Sequence, residues 1–315
     1  MTMNTFVHQT VLLNEAVVSV LGTRSGTYVD ATFGRGGHTR HLLAQLDAGA
    51  RVIGFDKDPH AIAAGQELAA EDGRFSIVHD SFASILDVMT RMGLVGHVDG
   101  ILADLGVSSP QIDDAGRGFS FMNDGPLDMR MDVTRGQSAA EWIADVEESE
   151  LARVLFEFGE ERHSRRIARA IVRVRLETPI LRTRQLAEIV AEAHPAWEKH
   201  KHPATRSFQA IRIFINNELG DIKQFLGDAL AVLCPGGRLA VISFHSLEDR
   251  LVKQFFQKEA KGDDFPRGLP ITIDMLTPTL KIVGKAIDPS VAEVEANPRS
   301  RSARLRVAQK LMGVV

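Results

Sequence analysis

The feature that most constrains the fold is a repeated alternation of strand-like and helix-like segments over residues 27–105. Short apolar runs predict strands at residues 27–33, 51–55, 75–78 and 98–105. Helix-like segments lie between them, at residues 38–46, 61–70 and 81–92. Successive strand–helix units build a parallel sheet whose two faces are covered by helices. We therefore predict an α/β fold with a doubly wound, Rossmann-like sheet.

The alternation is interrupted after the fourth strand. Residues 106–134 are rich in Gly, Asp, Ser and Pro and predict a long loop, and residues 138–193 have helical signals. The α/β pattern then returns with a helix at 216–233, a turn at Cys234–Gly237, a strand at 238–244, a helix at 246–261 and a closing strand at 304–309. We predict a discontinuous α/β domain, residues 1–112 and 215–315, with a mainly helical insertion, residues 113–214.

The net charge of −4 hides an uneven distribution of charge along the chain. Residues 113–161 contain 13 acidic and 4 basic residues, whereas residues 162–212 contain 12 basic and 4 acidic ones. A concentrated basic surface suits a polyanion, because each neutralised phosphate releases counterions. A solvated helix face would give the same run of charges, so the pattern alone leaves both interpretations open.

Several classes of protein are disfavoured by the composition. The single cysteine, Cys234, cannot form an internal disulfide, which fits a reducing cytoplasm. No apolar run is long enough to span a bilayer, and residues 1–21 lack the basic start of a secretory signal. The histidines are scattered rather than spaced as zinc ligands, and no Gly-x-Ser-x-Gly elbow of a serine hydrolase is present. We expect a cytoplasmic protein without a metal site or membrane contact.

A glycine-rich turn follows the first predicted strand, in the run Asp30–His38. Glycines there let the backbone approach a ligand closely, and the next helix offers free N–H groups. Asp56 follows Gly34 by 22 residues and could accept the two hydroxyls of a ribose. The third glycine of a dinucleotide fingerprint is replaced by Thr39, and no P-loop is present. A nucleoside cofactor without a pyrophosphate fits this motif better than a tight structural turn does.

Other candidate residues lie where later strands are predicted to end. Asp104 emerges from an apolar strand at the edge where open α/β sheets bind ligands, and a buried carboxylate there needs a partner. Phe82 could stack on an adenine or pack in the core, with Asp80 as a competing polar candidate. His245 lies at the same edge as Asp104, and a structural role for it is favoured over catalysis.

Ser246 and Asp249 match a capping box for the helix that follows His245.

The motifs resemble those of the ribosomal RNA small subunit methyltransferase H family, also called MraW, nearly from end to end. The matching segments are His8–Leu13, Thr32–His38, Asp104–Gln111, Gly118–Phe121, Gly125–Asp132, Gly159–Arg162, His202–Arg206 and Ser243–Arg250. So many long motifs in the same order are far more specific than any one of them. The resemblance implies a class I S-adenosylmethionine-dependent methyltransferase with an inserted helical domain.

The resemblance also implies a reaction, its partners and its site residues. The reaction is N4-methylation of a cytidine in the decoding region of bacterial 16S rRNA, with S-adenosylmethionine as the methyl donor. The insertion would hold the RNA, with the small ribosomal subunit as the partner; the oligomeric state is left open, and a homodimer is one option. By motif match, the cofactor contacts carry over to Gly36, Gly37, His38, Asp56, Phe82, Asp104 and Gln111.

Asp104 is the first candidate for catalysis, because a hydrogen-bond acceptor on the cytosine amino group would favour attack on the methyl carbon; it could instead hold the cofactor. Phe119 and Phe121 could support the cytosine or belong to a loop core. Two rival classes stay open, namely a methyltransferase that acts on a protein or small molecule and an RNA-binding factor that has lost catalysis.

Overall fold

The computed structural model describes residues 10–195, 202–262 and 276–312. The chain divides into two compact units. Unit 1 comprises Met1–Gly106 and Leu219–Val315, and unit 2 comprises Val107–Glu218. The predicted insertion, residues 113–214, lies within unit 2, and Gln111 belongs to that unit as well. Within the described ranges, no helix is both long enough and apolar enough to cross a membrane.

Unit 1 contains a seven-stranded sheet in the order β3-β2-β1-β4-β5-β7-β6. Its strands are β1 (Thr27–Asp30), β2 (Arg51–Asp56), β3 (Phe75–His79), β4 (Val98–Asp104), β5 (Leu233–Ser243), β6 (Leu280–Ile282) and β7 (Arg304–Lys310). Its helices are α1 (Leu13–Val20), α2 (Gly37–Leu43), α3 (Pro59–Glu71), α4 (Ile85–Met92), α11 (Glu218–Val232, from Leu219 onward), α12 (Ser246–Lys261) and α13 (Val291–Ala296).

The predicted α/β class is confirmed. Strands β1 to β5 pair in parallel, as the strand–helix alternation predicts. Strands β6 and β7 are antiparallel additions at the end of the sheet.

Both faces of the sheet are buried, which is why the central strands are continuous apolar runs. In β2, Val52 packs in one hydrophobic cluster, whereas Ile53 and Phe55 pack in the cluster on the opposite face. Ile101 of β4 and Phe225 of α11 share the latter cluster and are fully buried. Burying each such side chain contributes about 1.5–3 kcal/mol, so packing on both faces stabilises the sheet.

Unit 2 is helical and has its own core. Its helices are α5 (Ser109–Asp113), α6 (Ala139–Asp145), α7 (Glu148–Gly159), α8 (Ser164–Arg175), α9 (Thr183–Ala193) and α10 (Ala204–Ile215). The core is built from fully buried residues such as Leu151, Ile167 and Ile211. A capping box between Ser138 and Glu141 begins α6, with the Ser138 N–H 2.7 Å from the Glu141 carboxylate.

Two details of the predicted boundaries are wrong. The predicted turn at Cys234–Gly237 is the irregular beginning of β5, whose register against β4 shifts between Val98 and Gly100. The backbone passes very close to β4 there, since a Cβ on Gly237 would lie 2.9 Å from the Val98 carbonyl oxygen. The predicted loop at 106–134 contains the short helix α5.

Candidate active site

The glycine-rich loop after β1 is packed tightly on both of its sides. Gly34 and Gly36 have φ angles of +57° and +76°, in the left-handed region that favours glycine. A Cβ on Gly36 would lie 2.8 Å from Cζ of Phe33, and one on Gly37 would lie 1.9 Å from Oγ1 of Thr10. The loop therefore requires glycine, and its bare backbone leads directly into the N-terminus of α2.

Asp56, at the end of β2, links this loop to the sheet. Its carboxylate accepts hydrogen bonds from the Gly34 N–H at 2.8 Å and the Asp58 N–H at 2.9 Å. Burial raises the pKa of Asp56, while these two N–H groups lower it. A carboxylate offers about four acceptor sites, so capacity remains for a ligand hydroxyl.

Asp104, at the end of β4, lies in an acidic cluster with Asp30 and Glu248. Burial raises the pKa of Asp104 well above its ordinary value, and the charges of Asp30 and Glu248 raise it further. Within the described residues, its buried Oδ1 atom has no hydrogen-bond partner. The Asp104 N–H donates to Oγ1 of Thr32 at 2.6 Å, which fixes the end of the strand. A buried acceptor in this electronegative place attracts a cation or a hydrogen-bond donor.

Asp30, at the end of β1, is 2% exposed. Burial raises its pKa to about 6, although the Thr39 hydroxyl, which donates to its Oδ2 at 2.6 Å, lowers it. Sequence reasoning missed Asp30 and Glu248 as members of this cluster. The signal for Asp30 was available, because it is a carboxylate at the end of an apolar strand, as Asp104 is.

His38 connects Asp104 to the segment before α1. It is 4% exposed, and its Nδ1 lies 3.8 Å from Oδ2 of Asp104. Its Nε2 lies 3.1 Å from the Val11 carbonyl oxygen, which can only accept, so Nε2 carries the hydrogen. The next residue, Leu12, has φ +49° and donates its N–H to Glu293 of α13 at 2.7 Å. This left-handed leucine is therefore held by partners on two sides.

The remaining predicted cofactor contact in unit 1 is Phe82. It begins a 3₁₀ turn after β3, and its ring packs edge-on against Phe225 with centroids 5.1 Å apart. Phe82 is only half-buried, so packing in the core leaves part of the ring available for stacking. The Asp80 carboxylate accepts the Ser81 N–H at 2.8 Å. Stacking of Phe82 on an adenine stays a prediction.

The predicted capping box of Ser246 and Asp249 is wrong. Helix α12 begins at Ser246, so its N-cap is His245, and the Glu248 carboxylate accepts the His245 N–H at 3.2 Å. His245 Nε2 lies 3.0 Å from Oε1 of Glu248. Asp249 instead binds the guanidinium of Arg306 through two hydrogen bonds of 2.7 and 3.0 Å. His245 thus caps this helix, and the preference for a structural over a catalytic role stays a prediction.

Gln111 is described within unit 2. It is 7% exposed, and its side-chain oxygen accepts the Ser108 N–H at 2.9 Å in the capping box of α5. A cofactor contact by Gln111 stays a prediction. His8, at the opening of the sequence motifs, lies outside the described residues.

The two candidate rings for holding a cytosine both belong to the packing of unit 2. Phe119 is 9% exposed and lies under the Arg117 guanidinium, 5.7 Å from its carbon. The Phe121 ring packs against His202 and Phe208, with centroids 4.6 and 4.9 Å away. The structure therefore favours the loop-core interpretation of both residues.

The arginines of α8 form one exposed face. The opposite face buries Ile167 and Ile171 completely. The exposed arginines are Arg165, Arg166, Arg169 and Arg173. Arg169 lies 3.7 Å from Glu148 and is 78% exposed. The other three have no ion-pair partner among the described residues, so the face is available to an anion.

Other arginines of the basic run stabilise unit 2 itself. Arg175 donates to the carbonyl oxygens of Ile143 and Val146, both at 2.6 Å. Arg212 forms two hydrogen bonds of 2.8 Å with Glu218. The sequence count of basic residues therefore overstates the charge that is open to a ligand.

The residues of unit 1 fit a nucleoside cofactor that carries a positive charge. The glycine loop exposes backbone without side chains, and Asp56 retains acceptor capacity. Oδ1 of Asp104 is buried and has no hydrogen-bond partner among the described residues. S-adenosylmethionine combines a ribose with a cationic sulfonium, so it matches these three features.

Known proteins match this chain over nearly its whole length. The family described as the MraW methylase family matches residues 5–311. Ribosomal RNA small subunit methyltransferase H of Marinomonas sp. (strain MWYL1) is 60% identical over 304 residues, which cover 96% of this chain and 97% of that protein.

Solved structures similar to this chain include an rRNA methylase from Streptococcus thermophilus, with 12% identity, a TM-score of 0.38, and coverage of 95% of this chain and 93% of that one. An S-adenosylmethionine-dependent O-methyltransferase from Thermotoga maritima has 10% identity, a TM-score of 0.42, and coverage of 98% and 69%.

Proposed function

The chain belongs to the MraW methylase family, and on that premise we propose that it transfers a methyl group from S-adenosylmethionine to N4 of a cytidine in the decoding region of bacterial 16S rRNA. The observation that carries the proposal is the buried Asp104 carboxylate oxygen beside the glycine loop, which has no hydrogen-bond partner in the described part of the chain. The name of the Marinomonas relative supports rRNA of the small subunit as the substrate. We expect the enzyme to act in the cytoplasm.

S-adenosylmethionine supplies an electrophilic methyl carbon on a positively charged sulfur. The backbone of Gly36 and Gly37 would hold the cofactor, with His38 beside them. Asp56 would accept ribose hydroxyls and Phe82 would stack on the adenine. Gln111 is proposed as a further contact.

Asp104 has the properties that the acceptor of an amino proton needs. The cytosine amino nitrogen is a poor nucleophile, because its lone pair is delocalised into the ring. During transfer the carbon–sulfur bond breaks, a carbon–nitrogen bond forms and the nitrogen loses one proton. The raised pKa of Asp104 makes its carboxylate a stronger base than an exposed aspartate, so it can accept that proton. The same carboxylate could instead hold the cofactor.

The exposed arginine face of α8 is proposed to contact RNA phosphates. Its guanidinium groups are planar donors that suit phosphate oxygens. Arg169 lies near one acid of a neighbouring helix, Glu148. The other arginines of this face have no ion-pair partner among the described residues. Binding of the small ribosomal subunit through this face, by a monomer or a homodimer, would depend strongly on salt.

The test incubates the purified protein with radiolabelled S-adenosylmethionine and 30S subunits from cells lacking the endogenous activity, followed by nucleoside analysis. We expect label in N4-methylcytidine. Asp104→Ala should abolish it, whereas the exposed control Glu67→Gln should not. Label in protein, or none in RNA despite cofactor binding, would refute the RNA substrate.

Asp104→Asn distinguishes the two roles of this residue. The amide keeps the shape of the side chain and can still form hydrogen bonds, but it cannot accept a proton. A large fall in kcat with an unchanged Kd for S-adenosylmethionine, measured without RNA, would assign proton acceptance to Asp104. A fall in cofactor affinity would assign cofactor binding.

A further inference from the structure

Unit 1 has a second surface whose residues take no part in the proposed reaction. A groove of about 250 Å³ lies between α12, the segment after β6, and β7. Its ionisable lining residues are Lys253, Lys285 and Arg306. Buried Phe256 and Val307 contribute to its apolar wall. In the order of the sheet, β5 and β7 separate β6 from β4, which carries Asp104.

Among the described lining residues, all three charged side chains are cations, and two of them have no ion pair to match their charge. Arg306 is neutralised by its paired hydrogen bonds to Asp249. Lys253 and Lys285 are exposed, and neither has an ion-pair partner in the described part of the chain. Lys281, on β6, is exposed as well. The groove therefore presents a net positive charge on a partly apolar surface.

Two acidic residues of the described segments next to these elements, Asp288 and Glu259, have local partners. Asp288 accepts two hydrogen bonds from Arg304, at 2.8 and 3.1 Å. The Glu259 carboxylate accepts the Thr279 hydroxyl at 2.6 Å. Arg304 matches the charge of Asp288, and neither Lys253 nor Lys285 has an ion-pair partner among the described residues. The two lysines are therefore left to attract an anion from outside the chain.

We propose that this groove, the Lys253 groove, is a second RNA-binding site, at which Lys253 and Lys285 bind backbone phosphates of the rRNA at a distance from the methylated nucleotide. The proposal rests on the proposed function, since it takes the substrate to be RNA. An enzyme that modifies one nucleotide of a large RNA needs binding energy from remote contacts to position the target. A polyanion matches the charge of the groove.

The test measures Kd for unmodified 16S rRNA, transcribed in vitro, at 50 and 200 mM salt. The variants are Lys253→Ala/Lys285→Ala and the conservative Lys253→Arg/Lys285→Arg, with exposed Lys223→Ala of α11 as the matched control. Loss of two phosphate contacts should reduce the salt slope by about 1.4–1.8. The ratio of variant to wild-type Kd should therefore shrink roughly tenfold between the two salt concentrations.

Three further readouts make the test decisive. The Ala variant should keep the wild-type Kd for S-adenosylhomocysteine and the wild-type kcat, with a raised KM for RNA; the Arg variant should behave as wild type.

The outcomes that would contradict the proposal are distinct. If the Ala variant has the wild-type Kd for RNA and the wild-type salt slope while wild-type protein methylates RNA, the groove is not an RNA site and the proposed function stands. If the Ala variant aggregates while its soluble molecules bind RNA as wild type does, the lysines protect an edge strand against aggregation and the proposal is overturned. If wild-type protein neither binds nor methylates RNA, the proposed function fails together with this inference.

Discussion

Replacing Asp30 by Asn should stabilise the protein at neutral pH. Asp30 has a pKa of about 6 in the folded protein against an ordinary value of 3.8. This difference of about 2.2 units, at about 1.36 kcal/mol per unit, corresponds to about 3 kcal/mol. The folded state binds the proton more tightly than the unfolded state, so stability falls as the pH rises from about 4 to about 6 and stays reduced above that.

Asparagine at position 30 does not titrate, so it removes this loss of stability. Its oxygen can still accept the Thr32 N–H, and its amide can donate to the Thr39 hydroxyl that now donates to Asp30. We therefore expect Asp30→Asn to exceed wild type by about 1.5 kcal/mol at pH 5 and by about 3 kcal/mol at pH 8.

Urea unfolding of the two proteins between pH 5 and pH 8 measures this difference. Glu67→Gln, an exposed substitution on α3, serves as the control and should track wild type at every pH. A gain that does not change with pH would show that burial of the Asp30 charge is not its cause. A variant less stable than wild type at pH 8 would refute the reasoning altogether.

Substitutions at three further positions test contacts described above. Thr39→Val removes the hydroxyl that lowers the pKa of Asp30, so it should cost about 1.5–3 kcal/mol at pH 7; an unchanged urea midpoint would contradict this. Glu293→Ala removes the acceptor of the Leu12 N–H and should weaken S-adenosylhomocysteine binding roughly tenfold in calorimetry. Glu293→Gln keeps an acceptor oxygen and should bind as wild type. Equal losses of affinity in both variants would show that the charge of Glu293 matters instead of the hydrogen bond. Phe82→Leu should weaken the same binding about two- to tenfold if the ring stacks on adenine, and an unchanged Kd would leave the ring a packing role only.

The sequence pattern predicted the parts of the fold that depend on local periodicity. The apolar runs located β1 to β4, and the carboxylates at the ends of β2 and β4 could be selected because buried apolar strands seldom end in charge without a reason. The antiparallel position of β7 and β6 was not predictable in this way. Strand direction depends on connections and pairing rather than on the composition of the strand.

The arrangement of the site depends on contacts between distant residues. Asp30, Asp104 and Glu248 come together because β1, β4 and β5 are neighbours in the sheet, which no local pattern reveals. Arg175 looks like its neighbours in sequence, but it is bound to backbone carbonyl groups. His245 was missed as a helix cap, since Ser246 is a more usual capping residue.

Strands β4 and β5 pair although all of unit 2 lies between them in the sequence, and this has a consequence for synthesis of the chain on the ribosome. Asp104 pairs in register with Ile242, which follows it by 242 − 104 = 138 residues. Because the ribosome adds about 5–20 residues per second, the edge of β4 that pairs with β5 stays unpaired for roughly 7–28 s. During that time an apolar strand edge is open to aggregation, so we expect nascent chains to need a chaperone. Because Glu248 follows β5, the acidic surroundings of Asp104 can be completed only after all of unit 2 has been synthesised.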